Sequence, residues 1–363
     1  MREAQAALAA LQPDVLLLQE VRNSQVVTEL CRVVPGLQPQ VVSDFGVRPQ
    51  NQAVASRIPA DSAWAKTWKA GAVEPPRGYA FAAVPLPGRR FLLLYSLHLK
   101  SNLGEEAANV AMRSAAAGQL LEHAREMLAL YGRRGACAVI IGGDLNTSLD
   151  DPRFQQEPTL PALRAAGLHW THEGVPFSQR TTIPRNDRFP DNCFDHILTL
   201  GLGRAKARVK SLPQVSDHNP VIVDLDLSRA EFRGGLDLAA AETLLRKTSS
   251  LAPAQEEAGV LRAADDPAIR AAVGKLATVQ GSVARFGLSN TGGLTFINFA
   301  GTERGQFTAI IRKENLARAS GAFGGDLPAA LLGKTVQVRG KISLFQETPQ
   351  IDITRADQLT LVR

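Results

Sequence analysis

Four short runs rich in valine, leucine and isoleucine place the strongest constraint on the fold. The runs are Val15 to Leu18, Phe91 to Leu97, Val139 to Ile141 and Val221 to Val223, each bounded by polar residues or glycine. Short runs that are almost entirely apolar are typical of strands buried on both faces. The sequence therefore predicts one deep sheet near the start of the chain.

Beyond these runs, the sequence predicts one long helix and two changes in the spacing of apolar residues. Glu105 to Tyr131 has helical composition, and Gly132 supplies a stop. Residues 228–272 lose strand character, and beyond them apolar residues recur with the period of two that short strands show. We expect an α/β (α+β) domain over 1–227, a partly helical linker over 228–272 and a small β-barrel over 273–363.

Composition excludes several classes of protein. Hydrophobic residues make up 45% of the 363 residues and charged residues 21%, which excludes a disordered or fibrous chain. No apolar stretch approaches the roughly 18 residues of a membrane-spanning helix, so we expect no membrane span. Cys31, Cys137 and Cys193 are far apart and lack CxxC spacing, so neither a disulfide scaffold nor a structural zinc site is expected.

The net charge of +6 is concentrated at the C-terminal end of the chain. Residues 268–363 contain 12 Lys and Arg against 6 Asp and Glu, whereas residues 1–267 contain 29 of each kind. A basic region attached to a neutral one favours binding of a polyanion, although a solvated surface can have the same bias.

Polar side chains suited to catalysis stand at the ends of the apolar runs. A carboxylate or imidazole beside an apolar sheet end must be solvated, paired or bound to a ligand. Each alone has a structural explanation, such as an Asx-turn or a hydrogen-bonded histidine. These side chains are Glu20, His98, Asp144, Asn146, the pair Asp195 and His196, and the pair Asp217 and His218.

In this order, the clusters make residues 1 to about 227 resemble the endonuclease/exonuclease/phosphatase superfamily, which has the deoxyribonuclease-I-like fold. The resemblance implies a four-layer α-β-β-α sandwich that hydrolyses phosphoesters with a divalent cation, Mg²⁺ or Mn²⁺. The matching segments are Pro13–Val15 with Gln19–Val21, Gln52–Arg57, His98–Leu99, Gly143–Asn146, Asp195–Ile197 and Ser216–Pro220.

The resemblance implies metal and water ligands. Glu20 would bind the metal, with Asp217 as a further ligand or a group that orients one. Asp144 would hold the attacking water, and Asn146 would donate to a phosphate oxygen.

The resemblance also implies an acid–imidazole pair. His218 would meet the phosphate from the opposite side, oriented by Asp195, and either His218 or Asp144 would be the base. His98 matches a second histidine that contacts the phosphate or protonates the leaving oxygen. His196 should point away from Asp195, because strand side chains alternate, and is expected to pack.

One feature of the family has no counterpart in the sequence. The family begins with a strand that ends in a metal-site Asn, whereas Met1 opens directly on the helix-like stretch Arg2 to Leu11. We expect the chain to lack that strand, together with any signal peptide before it, and we expect an extracytoplasmic location.

A basic loop before Asp195 is a candidate substrate-binding segment. Its arginines are Arg180, Arg185 and Arg188. They are expected to meet phosphates, with an ordinary solvated loop as the alternative. The remaining histidines, His123, His169 and His172, are expected to be structural.

The C-terminal region resembles an OB-fold of the nucleic-acid-binding kind. Such barrels stack bases on exposed aromatic residues inside a basic groove. Barrel core is the alternative for the phenylalanines. The candidates are Phe286, Phe299 and Phe345 with Arg285, Arg312, Lys313, Arg339 and Lys341.

The sequence thus favours a metal-dependent nuclease, acting on DNA rather than RNA, with a basic barrel that holds the nucleic acid. Two alternatives remain open. One is a phosphoesterase of the same superfamily that acts on a small or lipid phosphoester. The other is a catalytically inactive protein that binds nucleic acid.

Overall fold

Two structural units share the chain, residues 1–252 and residues 253–363. The structure is a computed structural model that describes residues 1–44, 50–69, 73–185, 190–249, 257–289, 292–303, 305–354 and 356–362. The expected linker over 228–272 is instead divided between the units. Its first helix packs on the N-terminal unit, where Ala241 is buried in the core. Its later part adds a strand to the sheet of the C-terminal unit.

The four apolar runs of the N-terminal unit are confirmed as strands, but they belong to three sheets instead of the one deep sheet expected. The helices of this unit are α1 (Arg2–Leu11), α2 (Ser24–Cys31), α3 (Glu106–Gly132), α4 (Thr159–Ala165) and α5 (Leu238–Ser249). Its strands are β1 (Val15–Val21), β2 (Gln38–Val42), β3 (Asn51–Ser56), β4 (Ser62–Thr67), β5 (Gly78–Leu86), β6 (Arg90–His98), β7 (Ala136–Asp144), β8 (His169–Trp170), β9 (Asp195–Leu200), β10 (Ala207–Val209) and β11 (Val221–Val223).

These elements form a four-layer α-β-β-α sandwich, as the sequence predicted. The central six-stranded sheet has the order β4-β5-β6-β7-β9-β8. Helices α3, α4 and α5 cover one face of it. The other face packs on a second layer made of the sheet β1-β3-β2 and the pair β10-β11. Helices α1 and α2 form the fourth layer.

Strand register places three polar residues side by side at one edge of the central sheet. Strands β6 and β7 are parallel with His98 opposite Asp144, and β7 and β9 are antiparallel with Asp144 opposite Asp195. Close approach of β6 and β7 depends on Gly143, whose φ is 143° and where a Cβ would lie 2.0 Å from the carbonyl oxygen of Leu97. Only glycine is compatible with that geometry.

Helix α3 is anchored by a buried ion pair that the sequence did not reveal. Glu105 caps its first turn by accepting hydrogen bonds from two backbone amides. Within the helix, Arg113 pairs with Glu157, and both side chains are 1% exposed. The guanidinium also donates to the carbonyl of Lys100 and to Asn102 Oδ1. The pair therefore fixes the loop that follows His98.

Among the described helices, none is long and apolar enough to cross a membrane.

The C-terminal unit is a sheet built around one long strand, β13. Its elements are β12 (Glu257–Arg262), α6 (Asp266–Ala271), β13 (Leu276–Leu288), β14 (Leu294–Phe299), β15 (Thr308–Arg312), α7 (Lys313–Gly321), α8 (Leu327–Leu331), β16 (Thr335–Lys341), β17 (Ser343–Phe345), β18 (Thr348–Asp352) and β19 (Leu359–Leu361). The order is β17-β18-β15-β14-β13-β16-β19, with β12 also paired to β13. Between the described strands this order does not return to its start, so the hydrogen bonds do not show the closed barrel expected from the sequence.

Candidate active site

The catalytic residues expected from the sequence meet at the edge of the central sheet. His98, Asp144 and Asp195 are neighbours across three adjacent strands because of the register described above. Glu20 approaches them from the second layer, at the end of β1, and His218 approaches from the loop before β11. Side chains from both sheets therefore converge on one site.

Asp144 is a buried carboxylate with a raised proton affinity. Burial is the main cause, followed by the negative charge of Asp195, and together they raise the pKa of Asp144 to about 7. The nearby His218 and the backbone amide of Asn146, which donates to Asp144 Oδ1 at 2.8 Å, oppose that shift. The carboxyl group can therefore exchange a proton near neutral pH.

Asn146 orients Asp144 instead of presenting its amide to a ligand. Its Nδ2 donates to Asp144 Oδ2 at 3.1 Å and to the carbonyl oxygen of Leu99 at 3.2 Å. Those two bonds use both hydrogens of the amide. In this arrangement both amide hydrogens bind protein acceptors, and the expected donation from Asn146 to a phosphate oxygen stays a prediction.

His218 and Asp195 form the acid–imidazole pair. His218 Nδ1 lies 2.8 Å from Asp195 Oδ2. Burial disfavours the charged imidazole, but the hydrogen bond to Asp195 and the charges of Asp195, Asp144 and Asp217 outweigh it and raise the pKa of His218 to about 9. The hydroxyl of Thr182 accepts a hydrogen bond from the backbone amide of Asp195 and holds the pair in place.

His98 is a buried, neutral imidazole between two carboxylates. Its Nε2 lies 3.5 Å from Asp144 Oδ2 and 3.8 Å from Glu20 Oε1. Burial, together with the charges of Arg77 and His218, lowers the pKa of His98 to about 3. A neutral ring can donate a hydrogen bond from one nitrogen, but it is a poor proton donor to a leaving oxygen.

Glu20 presents an open carboxylate to the site. It has a left-handed backbone with φ 55°, its side chain is 59% exposed, and Gln50 donates to its Oε1 at 3.3 Å. Asp217 is also exposed and accepts a hydrogen bond from the Ser216 hydroxyl. Its charge contributes to raising the pKa of His218. An open carboxylate next to a buried one fits a hard divalent cation.

Arg77 is a site residue that the sequence did not identify. Its guanidinium donates to the carbonyl oxygens of His98 and Leu99 and to Gln50 Oε1. It therefore connects the end of β6 to the glutamine that holds Glu20. An arginine before a strand carries no sequence signal for this role, because its partners are separated from it by more than twenty residues.

Of the two loop arginines that the structure describes, one does not face solvent as expected. Arg180 is turned inward, where it pairs with Asp150 and lies 5.2 Å from the ring centre of Trp170. Its guanidinium is committed to protein partners instead of a phosphate. Arg185 is exposed, with its backbone amide bonded to Asp191. Arg188 lies outside the described residues.

In the C-terminal unit the candidate residues have different environments. Phe299 is 2% exposed and belongs to the core, so the expectation that it stacks on a base is wrong. Phe286 packs partly against the same core, whereas Phe345 is 59% exposed. Arg312 pairs with Asp352 at 2.7 Å. Arg285, Lys313, Arg339 and Lys341 are exposed.

Comparisons with solved structures give several similar folds at low identity. Truncated TDP2 from Caenorhabditis elegans is 17% identical, with 61% of this chain and 88% of that chain covered and a TM-score of 0.46. A mannosyl-6-phosphatase from Bacteroides thetaiotaomicron is 16% identical, with 62% and 91% covered and a TM-score of 0.46. The human Nocturnin catalytic domain is 16% identical, with 62% and 86% covered and a TM-score of 0.45. No curated protein matches the chain.

A family model gives the assignment. The model described as Endonuclease/Exonuclease/phosphatase family matches residues 1–218, which is more than half of the chain. The match covers every site residue described above in the N-terminal unit. The chain belongs to the Endonuclease/Exonuclease/phosphatase family, whose members hydrolyse phosphoesters.

Proposed function

We propose that this protein is a metal-dependent nuclease that hydrolyses phosphodiester bonds in DNA. The observation that carries the proposal is a carboxyl group that can take up a proton near neutral pH, close to an imidazole that stays protonated. Asp144 is buried next to an imidazole, His218, that Asp195 keeps protonated. Attack on a phosphodiester anion requires a base and a positively charged group close together, and Asp144 and the imidazolium of His218 supply them at one sheet edge.

A divalent cation completes the proposed site. Glu20, with Asp217 as a second candidate, would hold Mg²⁺ or Mn²⁺, because carboxylate oxygens suit these hard cations. The cation supplies positive charge to the phosphate oxygens during the reaction. His98 is compatible with a cation in this site, since its ring is neutral and its buried Nδ1 has no hydrogen-bond partner among the described residues.

The protein's own residues have distinct roles in the proposal. Asp144 accepts the proton of the attacking water, because its raised pKa makes it a better base than an ordinary aspartate. His218 stays protonated and donates to a phosphate oxygen, so the proposal gives the role of base to Asp144, one of the two candidates from the sequence. Asn146 and Arg77 are positioning residues that hold Asp144 and His98.

The C-terminal unit is proposed to be an OB-like domain that binds nucleic acid. Strand β13 pairs with β16 through its first half and with β14 through its second half, so that it bends between two ladders. Strand β15 pairs in parallel with β18, and two helices separate β15 from β16. This connectivity supports a small curled barrel. The basic excess of residues 268–363 and the exposed Phe345 ring support contact with nucleic acid.

A substrate panel tests the catalytic proposal. Plasmid DNA, single-stranded DNA, RNA and bis-nitrophenyl phosphate would each be incubated with Mg²⁺ or Mn²⁺, with Asp144→Asn as the inactive control. Cleavage of DNA that the variant loses supports the proposal. Cleavage of the small ester alone would favour a phosphoesterase for small substrates, and binding of DNA without any turnover would favour an inactive binding protein.

A binding experiment tests the C-terminal proposal. Phe345→Ala is expected to weaken binding of a single-stranded oligonucleotide by about 1–3 kcal/mol, the range for loss of one stacked base. Leu288→Ala removes another exposed apolar side chain, 70% accessible, and serves as the matched control. Equal affinity of both variants and the wild type, with no dependence on salt, would contradict a role for this unit in binding.

A further inference from the structure

Three buried side chains beside the backbone of Asp195 bring together ligands that zinc prefers. They are His172, Cys193 and His196, and one donor atom from each lies within 4.8 Å of the others. Their exposures are 0%, 0% and 1%. Imidazole nitrogen and thiolate sulfur are the usual ligands of Zn²⁺, whereas Mg²⁺ prefers oxygen. The cluster is thus chemically distinct from the carboxylates of the active site.

The hydrogen bonds of the two histidines show that Nδ1 is the ring nitrogen with a lone pair, and thus the atom that can bind a metal. His172 Nε2 lies 3.2 Å from the carbonyl oxygen of Asp195, and His196 Nε2 lies 2.9 Å from that of Thr147. A carbonyl oxygen only accepts, so each Nε2 carries the proton and each Nδ1 carries a lone pair. A ring whose other N–H is anchored on a backbone carbonyl is the usual state of a metal ligand.

Two of the three groups lack a good partner in the described part of the chain. His172 Nδ1 is buried without a hydrogen bond. Cys193 Sγ contacts the carbonyl oxygen of Asp195 at 4.0 Å, which is the outer limit for a sulfur donor. Buried polar atoms without partners are uncommon in folded proteins, because a buried donor or acceptor costs free energy unless another group satisfies it. A cation between them would satisfy both.

The third group must exchange its partner. His196 Nδ1 accepts a hydrogen bond from Trp170 Nε1 at 3.0 Å. Binding a cation would require the ring to release this indole N–H. The donor atoms would also move closer, since bonds of about 2.0–2.3 Å in a tetrahedral zinc site set donors roughly 3.5 Å apart.

All three groups of the cluster are electrically neutral before a cation binds. Burial, followed by the neighbouring His196, lowers the pKa of His172 to about 4, and burial also lowers the pKa of His196, so both rings are neutral. Burial raises the pKa of the Cys193 thiol, which is therefore protonated without a cation. On binding, the S–H bond breaks, the proton leaves to solvent and the thiolate bonds to the metal.

We propose that His172, Cys193 and His196 form a second metal site that takes Zn²⁺ and fixes the start of β9, which carries Asp195. From the sequence we expected no structural zinc site, because the cysteines are far apart and lack CxxC spacing. Only the fold brings His172 next to Cys193.

Cobalt spectroscopy of the full chain tests this proposal independently of activity. The protein would be purified without a histidine tag, freed of metal, and titrated with Co²⁺ in saturating Mg²⁺, which occupies oxygen sites. A thiolate-to-cobalt charge-transfer band at one equivalent, displaced by Zn²⁺, is expected. Cys193→Ser should lose the band, while Cys137→Ser, which changes another buried free cysteine, should keep it.

Zinc affinity supplies a second measurement. His172→Gln keeps the thiol but removes one ligand, and competition with a zinc-binding dye should show at least about a 100-fold weaker affinity, more than loss of an outer hydrogen bond causes. Absence of the charge-transfer band in the wild type would overturn the proposal whether or not the variants fold. So would a band that survives Cys193→Ser, or a zinc affinity that His172→Gln leaves unchanged.

Discussion

His218 Nδ1 lies 2.8 Å from Asp195 Oδ2, and this bond joins two segments that are 23 residues apart in the chain. It gives the site an imidazolium whose pKa is raised to about 9. The carboxylate beside it, Asp144, lacks such a partner and holds its own proton more tightly than an ordinary aspartate. Two aspartates on neighbouring strands are thereby assigned different chemistry.

Asp195→Asn is expected to lower kcat by about 10²- to 10⁴-fold, the range for loss of a positioned acid–base pair. Without the Asp195 carboxylate, burial is opposed only by the charges of Asp144 and Asp217, so the pKa of His218 should fall from about 9 toward 6.5, its ordinary value. The measurements are kcat with bis-nitrophenyl phosphate across pH and an NMR titration of the His218 ring. Asp224→Asn, at an exposed ion pair with Arg208, is the control and should behave as the wild type. An unchanged His218 pKa in Asp195→Asn would refute the pairing.

Stability should depend on pH through His218. Its folded-state pKa, about 9, is above the ordinary 6.5, so its contribution is fully present below 6.5 and is lost as pH rises through 9. Urea unfolding in EDTA would compare the variant Asp144→Asn with the double variant Asp144→Asn/His218→Gln. Because both carry Asp144→Asn, the titration of Asp144 does not enter the comparison. The difference in free energy of unfolding should shrink by about 1–3 kcal/mol between about pH 6 and pH 10. A constant difference over this range would contradict the prediction.

Glu20→Gln should weaken the response to metal without unfolding the protein. The side chain is 59% exposed and has one hydrogen bond from Gln50, so little stability depends on it. We expect EDTA to abolish hydrolysis, Mg²⁺ to restore it, and the variant to need at least about 10-fold more Mg²⁺ for half-maximal rate. Glu29→Gln, in an exposed pair with Arg32, should leave the requirement unchanged. Equal requirements in the two variants would remove Glu20 from the metal site.

Arg77→Lys is expected to impair both stability and turnover. Lysine cannot donate simultaneously to the two backbone carbonyls and Gln50, because it lacks the planar fork of arginine. The unsatisfied carbonyls should cost about 1–3 kcal/mol of unfolding free energy, and kcat should fall more than KM rises. Urea unfolding and steady-state kinetics measure these effects. Arg32→Lys, at a surface ion pair, is the control, and indistinguishable behaviour of the two variants would exclude a positioning role for Arg77.

Much of the N-terminal unit was determined by the sequence itself. Short runs that are almost entirely apolar, such as Phe91 to Leu97, are typical of buried strands, and the four runs are β1, β6, β7 and β11 in the structure. Polar residues that follow such runs must lie at a sheet edge. Six ordered segments, which contain Glu20, Asp144, Asp195 and His218, were the basis of the resemblance to the family, and the family model confirms it.

Tertiary structure alone decided which of these residues touch. Register between β6, β7 and β9 sets His98, Asp144 and Asp195 side by side, and register depends on pairing between strands that are distant in sequence. The same holds for arginines: Arg77 enters the site and Arg180 turns toward Asp150, although both are charged residues in loops. A long flexible side chain has no local preference that fixes its partner, so only the packed fold selects it.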